Sequence, residues 1–218
     1  MSGRGAIDAS LDANTQKEIV QWTKDAGWQM ATHPLHHQDF GLNQLGPGIA
    51  MAKKLHLNPD YDKIGLIPAA FGGSPISSWQ AQENLYVRAV QKAQQASESI
   101  NLAAIIWQQG ESDVLLGQEV TASYFDNLLK LIANFRKDLN QEKLPFFLGG
   151  LGDDFREKHP LSSMVQDAFI KAAGQMEQVY FIDAAGLKNA PNDPYHFSAA
   201  SYRALGERYA DAYEGSQD

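Results

Sequence analysis

The chain has 218 residues, a formal net charge of −8 and 44% hydrophobic residues. These values are typical of a soluble globular domain, and no apolar run approaches the roughly 20 residues that a membrane span requires. The acidic balance, with only 18 Lys and Arg residues, argues against a nucleic-acid partner. The absence of cysteine excludes disulfides, thiolate metal sites and a cysteine nucleophile, and it fits either a cytoplasmic or a secreted protein.

Hydrophobic periodicity predicts that short strands alternate with helices along the chain. The predicted strands are apolar runs at 63–70, 102–107, 144–150 and 179–183. The predicted helices lie at 12–27, 49–56, 80–97, 119–139, 162–176 and 198–213. This alternation indicates an α/β protein, a single domain over 1–218, whose parallel sheet is covered by helices on both faces.

Three polar clusters follow predicted strands or precede the last helix. They are Gly72-Gly73, the run Gln109–Asp113 and the run Asp193–His196. In open parallel sheets the loops after the carboxyl ends of the strands meet at one rim. The sequence therefore predicts that the three clusters form one site.

The residue types in these clusters suit acyl transfer, which needs a nucleophile, a base, an orienter for the base and oxyanion donors. His196 can act as the base, and Asp193, three residues earlier, can fix its tautomer. Gly73 offers an unhindered backbone N–H, and Gln109 offers a side-chain N–H. Taken alone, the Asp-x-x-His spacing is common, and an Asp that only shapes a turn is the alternative.

Other polar and aromatic residues near these clusters have two interpretations. Glu111 and Asp113 either have a direct catalytic role or hold their loop through backbone N–H groups, and the second role is favoured. Trp79 and Trp107 either belong to the core or cleft wall or stack on a sugar ring.

A histidine-rich stretch, with His33, His36, His37 and Asp39, invites a metal interpretation. Adjacent side chains on an extended chain point to opposite faces, and no second ligand cluster with zinc spacing follows. We therefore predict no metal and no cofactor. The favoured interpretation is a surface loop near a cleft. His33 and His36 are candidate substrate contacts together with Trp79, and the sequence does not rank them.

The runs Ile64–Trp79, Ile106–Asp113 and Asp193–His196 resemble the SGNH hydrolases, and the likeness extends over nearly the whole chain. The branch that they resemble most is that of the sialate O-acetylesterases and the acetylxylan esterases of carbohydrate esterase family 6. The resemblance implies a three-layer α/β/α sandwich with a parallel, flavodoxin-like sheet. It also implies the removal of acetyl groups from an acetylated carbohydrate or another small acetyl ester, without a cofactor.

Carried over by the resemblance, His196 is the base, Asp193 its partner and Gly73 an oxyanion donor. Gln109 stands where other members of the superfamily have Asn. Glu111, His36 and Trp79 are the expected substrate contacts.

The resemblance fails at the N-terminus, because the family's Gly-Gln-Ser-Asn-Met block, which carries the nucleophilic serine, is not in the sequence. Met1 aligns with the end of that block, so we expect the serine and the first strand upstream of Met1, with Ser2 as a less favoured substitute. Loss of an interior strand would leave two sheet edges with unpaired backbone groups, each costing about 1–3 kcal/mol.

The leading hypothesis is a serine-type carbohydrate O-acetyl esterase. Its alternative is a non-catalytic carbohydrate-binding relative, or an inactive form that lacks the nucleophile. A flavodoxin-like binding module is disfavoured because no Gly-x-Gly-x-x-Gly motif is present. The sugar, the acetyl position and the oligomeric state stay open at this stage.

Overall fold

The computed structural model describes residues 3–14, 16–38, 44–98 and 101–217. Within these ranges the chain forms nine α-helices and six β-strands. In chain order they are α1 (Ala9–Asp12), β1 (Ile19–Thr23), β2 (Gly27–Met30), α2 (Gly48–Leu55), β3 (Ile64–Leu66), α3 (Asn84–Ser97), β4 (Ile105–Trp107), α4 (Glu111–Leu115), α5 (Gln118–Ala122), α6 (Tyr124–Asp138), β5 (Phe146–Gly149), α7 (Asp153–Lys158), α8 (Ser162–Gln175), β6 (Val179–Ile182) and α9 (Ala199–Gly215). The chain divides into two compact units: unit 1 comprises Met1–Gly72 and Leu187–Asp218, and unit 2 comprises Gly73–Gly186.

Unit 1 contains a three-stranded sheet in the order β2-β1-β3. β1 pairs antiparallel with β2 and parallel with β3, so that Val20 lies between Met30 and Gly65. A cluster of buried apolar side chains packs on this sheet. Its members are Ile19, Ala31, Leu35, Ile49 and Ala52, and the partly buried Ile64 and Leu66 pack against them. The cluster joins the sheet to α2, so the strands and this helix share one core.

The predicted helix at 12–27 is wrong, because most of this segment forms the β1–β2 hairpin. The β-branched residues that open β1, beginning with Ile19, favour a pleated strand. Gly27 takes a φ of 65°, which closes the hairpin without the strain that a side chain would add. Trp22 and Trp28 then face each other across the strands, with ring centroids 5.4 Å apart in an edge-to-face arrangement.

The predicted helices at 49–56 and 198–213 are confirmed as α2 and α9, which pack against each other within unit 1. Gly206 of α9 faces the start of α2 with no room for a side chain. A Cβ atom at this position would lie 2.4 Å from the carbonyl oxygen of Pro47 and 2.8 Å from the nitrogen of Met51. The two helices therefore touch backbone to backbone at Gly206.

An ion pair between the partly exposed Arg203 and the buried Asp12 joins α1 to α9. The Arg203 guanidinium donates from Nε and Nη2 to the two carboxylate oxygens of Asp12, at 2.7 and 2.9 Å. Asp12 is only 5% exposed. Burial is the largest single influence and would raise the pKa of Asp12, but the bond to Arg203, the backbone N–H of Asp8 and the Arg203 charge together outweigh it and hold this pKa below its usual value.

Unit 2 contains a parallel three-stranded sheet in the order β4-β5-β6, in which Phe147 lies between Ile106 and Tyr180. Every residue of the central strand β5 is buried. A continuous apolar strand of this kind is what a parallel sheet with both faces covered requires. The predicted strands at 102–107, 144–150 and 179–183 are confirmed, each with fewer residues than predicted.

Several helix boundaries in unit 2 differ from the prediction. The predicted helix at 80–97 begins only at Asn84, because a 3-10 turn occupies Ile76–Trp79 and Gln82 takes a positive φ of 77°. The predicted helix at 119–139 is two helices, α5 and α6, that meet at Ser123. The helices α4 and α7 were not predicted, since each has too few residues to show a helical period.

The α/β class and the parallel pairing of strands are confirmed, with the antiparallel strand β2 as an addition. The three-layer sandwich, the single domain and the absent first strand stay predictions. None of the helices that the structure describes combines the length and the apolar character needed to cross a membrane.

Candidate active site

Residues 193–196 form a closed turn, here called the acid–base loop, in unit 1. One oxygen of Asp193 (Oδ1) accepts hydrogen bonds from the backbone N–H groups of Tyr195 and His196, both at 2.9 Å. The other oxygen (Oδ2) lies 2.8 Å from Nδ1 of the His196 ring. A single carboxylate therefore fixes both the turn and the imidazole.

The ionised form of Asp193 is stabilised by its hydrogen-bond donors. Burial works to raise the pKa of Asp193, but the two backbone N–H groups and the His196 ring outweigh it and hold this pKa below its usual value. An ionised carboxylate only accepts, so Nδ1 of His196 carries a hydrogen and Nε2 is the basic nitrogen. The His196 side chain is 39% exposed, and Nε2 has no hydrogen-bond partner among the described residues.

The ends of the acid–base loop are tied down by the backbone. The N–H of Ala190 donates to the carbonyl of His196 at 2.9 Å, and the N–H of Ser198 donates to the carbonyl of Lys188 at 2.9 Å. Ser198 is the N-cap of α9, and its hydroxyl accepts from the N–H of Ser201. The loop is thus held between two chain segments that cannot separate without losing hydrogen bonds.

The first described residues pack against the helix that follows this loop. Gly5 exchanges two backbone hydrogen bonds with Leu45, at 3.1 and 3.0 Å. A Cβ atom on Gly5 would lie 3.1 Å from Cα of Ala199 and 3.0 Å from the Tyr202 ring, so this glycine lies directly on the first turn of α9. Ser2 lies outside the described residues, and its possible role as the nucleophile stays a prediction.

The histidine-rich stretch is held by hydrogen bonds rather than arranged around a common centre. The N–H of His36 donates to Oε1 of the buried Gln21 at 3.0 Å, and Nδ1 of His37 accepts from the N–H of Ala70 at 3.1 Å. Asp39 lies outside the described residues. Within the described ranges, no group of three or more His, Asp or Glu side chains is placed to hold a metal ion. Substrate contact by His36 stays a prediction.

His33 differs from its neighbours because Nδ1 of its ring is buried without a hydrogen-bond partner in the described part of the chain. Burial lowers the pKa of His33 to about 4; Lys53 and Arg203 act in the same direction, and the Asp12 carboxylate opposes them. The ring is therefore neutral in the folded protein at physiological pH.

This depressed pKa predicts a loss of stability in mild acid. The unfolded chain binds a proton below the ordinary value of 6.5, whereas folded His33 does so only near 4. The contribution of neutral His33 to the free energy of unfolding is therefore fully present above pH 6.5. It is lost between pH 6.5 and pH 4, and the loss at pH 5 is about 2 kcal/mol. Urea unfolding of the wild type and of His33→Gln at pH 7 and pH 5 checks this. The control is His56→Gln, which should lose as much stability between pH 7 and pH 5 as the wild type. An equal loss in His33→Gln would contradict the prediction.

In unit 2, Gly73 presents an open backbone N–H. Its φ is 71°, a conformation that favours glycine, and a Cβ atom there would meet nothing within 4 Å. Its N–H donates to no acceptor among the described residues. An unoccupied donor beside open space is what an oxyanion donor requires.

We expect Gly73→Ala to lower ester turnover by about tenfold while costing the fold only about 1 kcal/mol. There is room for the methyl group, so the penalty comes from the positive φ, and relief of that strain would turn the N–H away. Steady-state kinetics and urea unfolding measure the two effects. Gly117→Ala is the matched control, because its φ is 101° and its Cβ would also meet nothing. Equal turnover in both variants would contradict the role of Gly73.

Gln109 is brought close to the Gly73 loop, but its side chain is fully used. Its Nε2 donates to the carbonyl of Ser74 at 3.0 Å and to Oδ2 of Asp113. Its Oε1 lies 2.9 Å from the Tyr124 hydroxyl. In this arrangement the amide has no N–H left for a substrate, so direct oxyanion donation by Gln109 requires one of these bonds to be exchanged.

The aromatic residues near this loop belong to the core. Trp79 is 5% exposed, packs edge to face on Trp107, and donates from Nε1 to the Ser74 hydroxyl at 2.8 Å. This burial favours the core or cleft-wall interpretation, and substrate contact by Trp79 stays a prediction. Trp107, 7% exposed, donates from Nε1 to the hydroxyl of Tyr124 at 3.3 Å.

The Asp113 carboxylate accepts from the N–H of Ile76, so it holds the segment that follows Gly73 and not only its own loop. Glu111 is half-buried at the first position of α4, and its contact with substrate stays a prediction. Sequence reasoning missed Tyr124, whose position on the apolar face of α6 hid the polar use of its hydroxyl. The Gln109–Asp113 spacing of four residues was the available signal for that pair.

Comparison with known proteins shows the family. Residues 1–215 match the carbohydrate esterase family described as sialic acid-specific acetylesterase. The chain belongs to this family. It is also 33% identical over 206 residues to a probable carbohydrate esterase of Arabidopsis thaliana, covering 89% of this chain and 74% of that protein. The predicted relation to sialate O-acetylesterases is thus confirmed, whereas the acetylxylan esterase branch stays a prediction.

Solved structures of this kind show the same fold. The X-ray structure of the Arabidopsis protein has a TM-score of 0.86 and 28% identity, covering 99% of this chain and 93% of that one. The crystal structure of NanS has a TM-score of 0.81 at 18% identity, with 98% and 92% covered. A carbohydrate acetylesterase of Xanthomonas citri gives 0.65 at 19%, with 92% and 49% covered. For the last two, the similarity shows the fold alone.

Proposed function

We propose that this member of the family is a serine-type carbohydrate O-acetyl esterase. Family membership supports carboxylic ester hydrolysis on a carbohydrate in general. The observation that carries the proposal further is the acid–base loop, in which Asp193 binds Nδ1 of His196 at 2.8 Å and leaves Nε2 as a base. A turn built only for folding would not require an exposed imidazole bound in this way.

The chemistry assigned to the loop is acyl transfer in two stages. His196 takes the proton of a serine hydroxyl as its oxygen attacks the acetyl carbonyl carbon. It then gives that proton to the sugar oxygen as the ester C–O bond breaks. A water molecule next attacks the acetyl-serine while His196 takes a proton from it; His196 then returns that proton to the serine oxygen as the acetyl–serine C–O bond breaks, which releases acetic acid (as acetate at neutral pH) and restores the serine hydroxyl. Asp193 holds the ring and stabilises the imidazolium that forms twice in the cycle.

The oxyanion donor that we propose is the N–H of Gly73, because it is open and has no competing acceptor among the described residues. Gln109 is proposed as a second donor only through exchange of one of its two present N–H bonds. His36 and Glu111 are proposed as contacts to the sugar. The nucleophile is proposed to be a serine, with Ser2 as one candidate, and the labelling experiment below identifies it.

The test is hydrolysis of a small aryl acetate, followed by labelling with a serine-directed phosphonate and mass mapping of the labelled peptide. Turnover with one labelled serine is the expected result, and the label identifies the nucleophile. A folded protein that neither turns over the ester nor takes the label would refute the proposal. If such a protein still bound an acetylated sugar, a non-catalytic binding function would replace it.

The description of the family supports a narrower proposal about the substrate. We propose an O-acetylated sialic acid as the substrate, in line with the description of the family. Release of acetate from O-acetylated sialic acid and from acetylated xylo-oligosaccharides, measured at equal acetyl concentration, distinguishes this from the acetylxylan branch. A higher kcat/KM on the xylo-oligosaccharides would reverse the assignment.

A further inference from the structure

Asp113 is a fully buried carboxylate in unit 2, with an exposed fraction of 0%. No Lys, Arg or His side chain pairs with it in the described ranges. Burial is the largest influence on its ionisation and raises the pKa of Asp113, while hydrogen bonds from Gln109 and Ile76 act in the opposite direction. Burying a carboxylate without a cation costs stability, so its presence calls for a reason beyond folding.

The bonds that Asp113 makes converge on the segment that follows Gly73. Both carboxylate oxygens lie within reach of the N–H of Ile76, at 3.2 and 3.1 Å. Oδ2 also accepts from Nε2 of Gln109, and the second N–H of that amide reaches the carbonyl of Ser74 at 3.0 Å. Asp113 therefore holds the Ser74–Ile76 segment directly at one end and through Gln109 at the other.

The orientation of the Gln109 amide depends on this arrangement. A carboxylate can only accept, so it dictates that the amide presents its nitrogen to Asp113 and its oxygen to the Tyr124 hydroxyl, 2.9 Å away. A neutral group at position 113 that offered a donor would allow the amide to turn over. The Ser74 carbonyl would then face the amide oxygen and lose its donor.

We infer that Asp113 is a positioning residue for ester hydrolysis, which sets the Gln109 amide and the Ser74–Ile76 segment so that the Gly73 N–H is aimed at the oxyanion. This inference rests on the oxyanion role proposed for Gly73. Asp113 acts through its neighbours and touches no reacting atom. Its contribution belongs to the transition state, where the oxyanion develops, and not to the binding of the sugar.

The decisive variant is Asp113→Asn, which keeps the shape and one acceptor oxygen but places an NH₂ group against a donor. We expect kcat on an aryl acetate to fall by about 10–100-fold, with KM changed by less than about threefold. Because a buried charge is removed, Tm should stay within about 3 °C of the wild type or rise. A residue that only stabilised the fold would give the opposite pattern. Its replacement would lower Tm, and the folded fraction would keep the wild-type kcat.

Asp138→Asn is the matched control, since it also removes a carboxylate that accepts a short hydrogen bond, here from the Tyr86 hydroxyl at 2.6 Å. Its kcat should equal that of the wild type. The double variant Gln109→Ala with Asp113→Asn should fall less than about threefold below Gln109→Ala alone, because the two residues act through one linkage.

The outcomes separate this inference from the proposed function. Turnover that His196→Ala abolishes and Asp113→Asn leaves unchanged overturns the inference alone. A fall in kcat that only follows the unfolded fraction, or that adds in full to the effect of Gln109→Ala, also overturns it. A wild type without turnover overturns both the inference and the proposed function.

Discussion

Replacement of His196 by alanine is expected to lower kcat/KM for an aryl acetate by about 10³-fold or more. The variant removes the base that takes the serine proton and returns it to the leaving alcohol, and each transfer contributes about 10²–10⁴-fold. Asp193→Asn should have a smaller but still large effect, because the ring loses the carboxylate 2.8 Å from Nδ1 that selects its tautomer. Steady-state kinetics on purified, folded protein measure both.

His56→Ala is a suitable control for His196→Ala. This histidine is also in unit 1, directly after α2, and its ring nitrogen lies 3.3 Å from the carbonyl of Tyr61. It has no proposed part in turnover, so its kcat/KM should match the wild type. Turnover by His196→Ala within threefold of the wild type would remove His196 from the mechanism. Equal losses in the two histidine variants would instead indicate an effect on folding.

Gly206→Ala is expected to destabilise the protein by about 2–3 kcal/mol, although alanine is the better helix former. The added methyl group would lie 2.4 Å from the Pro47 carbonyl oxygen and 2.8 Å from the Met51 nitrogen, and backbone atoms cannot step aside as a flexible side chain can. The helices α2 and α9 must then separate, which costs more than the roughly 1 kcal/mol gained from helix propensity. Urea unfolding followed by circular dichroism measures the difference.

Gly215→Ala is the control on the same helix. A Cβ atom at this position would meet no atom within 4 Å, so the helix-propensity gain should appear without a clash. We expect a change between zero and about 1 kcal/mol of added stability. If Gly206→Ala were as stable as Gly215→Ala, the close approach of α2 to α9 would be contradicted.

The sequence predicts a strand correctly where every residue of the strand is buried. It does not predict the β1–β2 hairpin, whose formation depends on its turn. The run that becomes β5 is apolar at every position, and no other local structure suits it as well. The segment 12–27 has apolar residues at intervals that also fit a helix. Its hairpin depends on Gly27 and on the packing of Trp22 against Trp28, and that contact forms only after the strands pair.

The candidate site also has one part that the sequence predicts and one part that it does not. The Asp193–His196 bond could be anticipated, since a spacing of three residues brings the two side chains together within one turn. The bonds from Gln109 to Ser74 and from Asp113 to Ile76 could not, because they join residues about 35 positions apart. Such contacts depend on how separate chain segments come together, and residue type alone does not specify them.

The discontinuous composition of unit 1 has a consequence for synthesis on the ribosome. Every contact within Gly73–Gly186 becomes available once residue 186 has emerged, whereas unit 1 also needs Leu187–Asp218. Arg203 lies 191 positions after Asp12, so the N-terminal segment emerges long before its ionic partner exists. During synthesis the Asp12 carboxylate and the apolar face of α2 therefore have no α9 to pack against. Chaperone binding and proteolysis can compete with folding of unit 1 until α9 has been made.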